Sequence, residues 1–185
     1  EMMSYGIVQL INTENIDVTV DLHEASPEYP VINALIAHER AMNLASNVVV
    51  DMQMEGVQIS LEPSPTDLRG LTHRELGDHT DTLALLMEAP NPAQGRLRDR
   101  TDEALVLTGK SETYVKAGEI GQLYVPYDEN GWPIEVRCAR HVFGIERILA
   151  NYSEMYEEPI IVTGMPSYDE LVKNGMGPYL NEPTT

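Results

Sequence analysis

The sequence is poor in cysteine, in cations and in long apolar runs, and each shortage removes a class of protein. Its single cysteine, Cys138, excludes an intrachain disulfide framework and a multi-cysteine zinc site. A cytoplasmic setting is therefore the expectation. Lysine and arginine number 12 against 30 aspartates and glutamates, a formal charge of -18. Phosphate backbones are bound by clustered positive charge, so nucleic acid is not expected as a partner. No apolar run approaches the length of a bilayer-spanning helix and no signal-peptide pattern is present, so no membrane association is expected either.

What is present is an ordinary globular composition. The 185 residues are 42% hydrophobic, enough to build one domain with a sizeable core. The opening EMMSYGIVQL enters an apolar pattern at once and reads as the middle of something longer. The expectation is a single domain over residues 1–185 that forms the C-terminal portion of a larger catalytic domain.

Periodicity supplies the coarse elements. Residues 2–12 suit a short helix. IDVTVDL (16–22) alternates and is β-branched, which predicts a strand with Ile16, Val18, Val20 and Leu22 on one face. If the extended backbone continues to residue 23, Asp21 and His23 share the other face. The spacing from Ile32 to Gly56 predicts a helix, in two pieces separated near Asn47. VQISLE (57–62) predicts a strand, and GLTHRELGDHTD (70–81) reads as a polar, turn-rich connection. TLALLME (82–88), bounded by the breakers Pro90 and Pro92, predicts a strand buried on both faces.

A helix is expected over 139–153, with Val142, Ile145, Ile148 and Leu149 on one face, and a strand over PIIVTG (159–164). Ser167-Tyr168-Asp169-Glu170 is a capping-box pattern for a short helix that Asn174-Gly175 should close. Strands alternate with helices, so the expected class is α/β, with a mostly parallel or mixed central sheet flanked by helices.

Two of these strands end on chemistry. One delivers Asp21 and His23, and the other delivers Glu88. In open α/β sheets, binding sites gather outside the carboxyl ends of parallel strands. A histidine there is a competent zinc ligand whose second nitrogen an acid such as Asp21 can orient. A carboxylate leaving an apolar strand, such as Glu88, suits a general base that activates water. Each also has a plainer reading, as a solvated strand end. Five of the 12 cations, Arg69, Arg74, Arg96, Arg98 and Arg100, fall within one segment, and all are arginine, the residue that grips carboxylates in a planar fork. They are either an anion trap or counter-charges for neighbouring acids.

Other polar and aromatic positions read more plainly. His73 and His79 fit surface loop histidines, and Asp78 and Asp81 fit caps. His38 and His141 lie in predicted helices and read as structural or solvent-facing. Trp132, between Gly131 and Pro133, reads as a loop anchor, and methionines such as Met52, Met54 and Met87 as core filling. Tyr124 and Tyr127 are candidates to line a cleft.

DLHEASPEYP followed by GLTHRELGDHTDTLALLMEAPNPAQGRLR resembles the zinc carboxypeptidase-like superfamily, in its succinylglutamate desuccinylase/aspartoacylase-like branch. The wording spans about residues 10–100. The resemblance implies a zinc site made of an early His-x-x-Glu pair and a later histidine, with a glutamate ending another strand as general base. By that resemblance His23 matches the later ligand and Glu88 the catalytic glutamate. No His-x-x-Glu occurs in this sequence, so the remaining ligands would lie upstream of Glu1 or on a complementary chain. One imidazole alone binds zinc poorly.

No tyrosine shortly precedes Glu88 in the manner of digestive carboxypeptidases. The resemblance therefore implies hydrolysis of an amide in a small carboxylate-bearing substrate of the N-acyl amino acid type, with Arg69, Arg74 and Arg96 as candidates for docking its carboxylate. The alternatives are a carboxypeptidase-like metallopeptidase acting on short peptides, and a non-catalytic subunit or binding module lacking the metal pair.

Overall fold

A computed structural model describes residues 2–92 and 103–180. Arg96, Arg98 and Arg100 fall outside the described residues. The chain is α/β, with a mixed sheet covered by helices on both faces. Helix α1 (Met2–Glu14) leads into β1 (Val18–Ala25), which carries the expected alternation three residues beyond Leu22. Strand β2 (Ala34–Ala37) follows, then a 3-10 turn (Glu39–Ala41), helix α2 (Met42–Met54) and strand β3 (Ser60–Pro63). Helix α3 (Thr72–His79) precedes β4 (Leu83–Pro90). The later helices are α4 (Glu103–Thr108), α5 (Glu112–Glu119), α6 (Ile134–Tyr156) and α7 (Tyr168–Asn174), with a further 3-10 turn at Gly177–Tyr179. No helix among the described residues is long and apolar enough to cross a membrane.

The sheet order is β1-β4-β2-β3. β4 runs parallel to β1 and antiparallel to β2, and β2 runs parallel to β3. Side chains alternate across each strand, so each face can be assigned directly. On one face Val18 and Val20, Leu83, Leu85 and Met87, and Leu35 and Ala37 pack against Leu44, Val48 and Met52 of α2 and Phe143, Ile148 and Tyr152 of α6. At about 1.5–3 kcal/mol for each large apolar side chain, this layer is the main source of stability. Helix α6 comes close enough that a Cβ on Gly144 would overlap the Met87 thioether, so an added methyl there would have to displace the end of that side chain. The other face carries Ala84, Leu86, Ala34 and Ile36, covered in part by Ile11 of α1 and Leu76 of α3.

Several sequence expectations differ from the fold: α2 runs unbroken through Asn47, where the pattern predicts a break, and only the end of VQISLE enters β3. ALIA (34–37) is a strand, although it sits inside a helical pattern. Both its neighbours are strands and all four residues are buried, so pairing on both edges overrides local periodicity. Residues 72–79 form a helix rather than a turn-rich connection; its inward face is partly polar, with His73 and Arg74 buried beside Leu76 and Gly77, so no apolar stripe marks it. PIIVTG is not a strand. It pairs with no strand among the described residues, and Ile160, Ile161 and Val162 are exposed. The capping box at Ser167 and Glu170 is formed, and Gly175 ends α7 with φ 70°.

Candidate functional site

His23 and Glu88 are direct register partners on the parallel pair β1 and β4, near the carboxyl ends of both strands. Because the register pairs Thr19 with Ala84, Asp21 with Leu86 and His23 with Glu88, all six side chains lie on the face that α3 covers. The His23 ring is about half exposed, at 47%, while Glu88 is mostly covered, at 16%. His23 Nε2 lies 3.2 Å from Asp21 Oδ2, and His23 Nδ1 lies 3.9 Å from Glu88 Oε1. The Asp21 contact lacks hydrogen-bond alignment, so Asp21 Oδ2 remains without a hydrogen-bond partner, as does Glu88 Oε2.

Burial, followed by the nearby carboxylates of Asp21 and Glu24, pushes the Glu88 carboxyl up to about 7. A carboxylic acid in that range exchanges its proton readily at neutral pH. His73, on the first turn of α3, is only 3% exposed and neither ring nitrogen has a hydrogen-bond partner. Burial holds its imidazole down to about 4, against the attraction of Asp21. His141 of α6 approaches from beneath, where its Nε2 donates to the His23 backbone carbonyl at 3.2 Å, and burial lowers its pKa.

The strand ends are tied from behind. Arg137 of α6, 4% exposed, pairs with Glu24 at 3.0 Å and donates to the Trp132 carbonyl at 2.7 Å and the Val106 carbonyl at 3.0 Å. The Tyr114 hydroxyl accepts from the Asn91 N–H at 2.8 Å and donates to the Ala25 carbonyl, so one phenol bridges the ends of β4 and β1. Tyr114, Tyr127 and Trp132 form a stacked row beneath it. Tyr127 is thus core, whereas Tyr124 is exposed.

The arginines sit differently from one another. Arg74 is buried and engaged internally. It donates to both Glu39 carboxylate oxygens at 2.8 and 2.9 Å, pairs with Asp78, and lies 3.0 Å from His38 Nε2. Those acids raise its pKa further, and its guanidinium in turn holds Asp78 well below the usual carboxylate range. Arg69 reaches the same Asp78 at 2.8 Å but is 68% exposed. Arg96 lies outside the described residues.

As a metal ligand, His23 has the right chemistry: one nitrogen beside a carboxylate, the other turned toward the general-base candidate. It supplies one donor of a tetrahedral set. Among the described residues no group of three or more His, Cys, Asp or Glu side chains is placed to hold a metal ion.

Comparison with known proteins found no matching family model, curated protein or solved structure.

Sequence reasoning singled out His23, Asp21 and Glu88, and the fold brings those three together. It placed His73 in a surface loop, and it drew no link from Glu24 to Arg137 or from Tyr114 to the strand ends. The one available signal for Glu24 was alternation, which sets it on the face opposite His23. Nothing local ties it to a residue more than a hundred positions away.

Proposed function

We propose that this chain carries the water-activating half of an amide hydrolase acting on small carboxylate-bearing substrates of the N-acyl amino acid type. The observation that carries this reading is the pairing of His23 with Glu88: an oriented imidazole and a carboxyl poised near neutrality, side by side at parallel strand ends. The resemblance of DLHEASPEYP and LMEAP to the zinc carboxypeptidase-like superfamily points the same way.

In this mechanism Glu88, ionised, accepts a proton from a water molecule while the water oxygen bonds to the amide carbonyl carbon. The carbon–nitrogen bond then breaks as Glu88 returns the proton to the leaving nitrogen, which regenerates the carboxylate. Burial of Glu88 keeps its basicity high enough for the first transfer. Asp21 Oδ2 lies 3.2 Å from His23 Nε2, and Nδ1 faces Glu88 from the other side of the ring. A zinc ion, bound through His23 and through ligands outside the described residues, would supply carbonyl polarisation and a lowered water pKa. Arg69, exposed beside Asp78, offers charge for the substrate carboxylate.

The test is hydrolysis of a panel of N-acyl amino acids and of short peptides by the wild-type protein and by Glu88→Gln and His23→Ala, with zinc content measured in parallel. The expected result is turnover of N-acyl amino acids, lost about 100-fold or more in Glu88→Gln with metal retained, and metal lost in His23→Ala. Preference for peptides would instead favour a metallopeptidase. A non-catalytic binding module is the second reading, in line with the finding that no group of three donors is placed together among the described residues; it predicts neither turnover nor stoichiometric zinc in the wild type.

A further inference from the structure

The two edges of the sheet are built differently. β3, at one edge, has four residues and ends on Pro63, the short, proline-closed form that discourages further pairing. β1, at the other edge, keeps an unbroken register with β4 over eight residues, and its sequence VTVDLHEA contains neither proline nor lysine. Among the described residues no strand pairs with its outer side.

Which backbone groups point outward follows from two bonds. The Leu83 N–H donates to the Asp17 carbonyl and the Asn91 N–H to the Ala25 carbonyl, so the odd-numbered residues of β1 turn their backbone groups toward β4. Directions alternate along a strand, which leaves the N–H and C=O groups of Val18, Val20, Leu22 and Glu24 on the free edge. Leu22, within that row, is 46% exposed.

A second copy of this strand can meet the row antiparallel, about a two-fold axis. Even-numbered residues must then meet even-numbered ones, so few registers are open. Centring on Asp21 sets like charges face to face, which is unfavourable. Centring on Val20 or His23 overlaps only a short part of the strand. Centring on Leu22 overlaps Thr19 to Ala25, with Leu22 against Leu22 and Val20 against Glu24. On the other face it sets Asp21 against His23, twice over. The acids of β1 thus deter the competing register and suit this one.

We propose that β1 is a dimerisation edge: two copies of the chain join antiparallel about Leu22 into one continuous sheet, with Asp21 of each opposite His23 of the other. Roughly six backbone hydrogen bonds would hold the pair. The site at the strand tips is then shared, because a second acid, from the other copy, stands across from each half-exposed imidazole. Each chain carries a formal charge of -18, which opposes the union, and salt that screens this repulsion should strengthen it. Nothing in this pairing depends on the hydrolase reading.

Sedimentation equilibrium of the full chain at pH 7 tests it, at concentrations up to about 0.5 mM and in low and high salt. The wild type should form a dimer whose dissociation constant falls as salt is raised. Leu22→Glu sets two carboxylates face to face on the axis and should raise that constant about tenfold or more. Cross-linking by air oxidation in a Cys138→Ser background reads the register. Leu22→Cys should give a covalent dimer, because directly opposed Cα atoms lie about 5.5 Å apart, within disulfide reach. Glu24→Cys should not, since its two copies sit roughly 13 Å apart along the strands. A wild type that stays monomeric throughout overturns the proposal and leaves the edge to a different chain. A dimer indifferent to Leu22→Glu overturns it too, as does one that cross-links through Glu24→Cys and not Leu22→Cys. If Leu22→Glu does not fold, the cross-linking pair decides alone. Neither turnover nor zinc content enters these outcomes, so dimerisation stands or fails apart from the hydrolase reading.

Discussion

Arg137 lies beneath the strand that carries His23 and pairs with Glu24 on the opposite face at 3.0 Å. The same guanidinium satisfies two backbone carbonyls, of Trp132 and Val106, so one side chain ties α6 to β1, to the Trp132 loop and to the end of α4. Arg137→Met keeps much of the volume and removes every donor. The expected loss is on the order of 2–4 kcal/mol, since the carbonyls and the partly covered carboxylate are left without partners. Urea denaturation measures it, and a loss below about 1 kcal/mol would show the network to be dispensable.

Glu88 makes stability depend on pH in a definite direction. Its folded pKa of about 7 stands above the ordinary 4.5, because burial and the carboxylates of Asp21 and Glu24 disfavour its charge. The folded state therefore binds the proton more tightly than the unfolded one. The resulting stability is complete below pH 4.5 and is lost as pH rises through 7. Glu88→Gln, which cannot ionise, should be more stable than the wild type at pH 8 and should lose that advantage at pH 4.5. Thermal melts at the two pH values read the difference, and an equal shift at both would contradict the assignment.

Gly77 leaves room for a ring. A Cβ at this position would overlap the side chain of His38, which is itself hemmed in by Arg74, Glu39 and Asp78. In an open helix Gly→Ala would stabilise by about 1 kcal/mol. Here Gly77→Ala should instead destabilise by about 1–3 kcal/mol, because the ring must leave its packed position beside Arg74, Glu39 and Asp78. Chemical denaturation gives the sign, and a gain would mean that His38 moves freely.

Tyr114→Phe tests the bridge between the two strand ends. The substitution keeps the stacked ring and removes only the hydroxyl shared by Ala25 and Asn91. A cost of about 1–2 kcal/mol is expected, moderated because the Asn91 N–H also donates to the Ala25 carbonyl at 3.0 Å. Amide exchange at Asn91 should speed up while that of the central β4 amides stays unchanged; uniform acceleration would point to global loosening.

The parts of the fold legible in the sequence are those where one segment carries its own pattern. Val18, Val20 and Leu22 alternate, Leu83 to Met87 form a bounded apolar run, and Ser167 with Glu170 caps a helix. Each observed element agrees with that local signal. ALIA and α3 were hidden for opposite reasons. The first has the composition of its helical neighbourhood and becomes a strand through its partners, while the second turns a polar face inward where a hydrophobic stripe is the usual sign.

The same division runs through the site. His23 and Glu88 stand out because each ends a patterned strand. Arg137 and Tyr114 matter only through what they meet across the fold, and their surroundings in sequence carry no trace of it.

The ladder between β1 and β4 has a consequence for sequence change. Since faces alternate with every residue, whether position 23 meets position 88 is a question of odd or even count along two strands. Inserting one residue ahead of either strand tip would flip that side chain into the layer occupied by α6, although every chemical group would still be present. Two residues would restore the face and merely offset the pair by a single step. Length changes in this molecule should therefore be tolerated at the loop between Pro63 and Thr72 and punished, in single units, along the eight residues that lead to each tip.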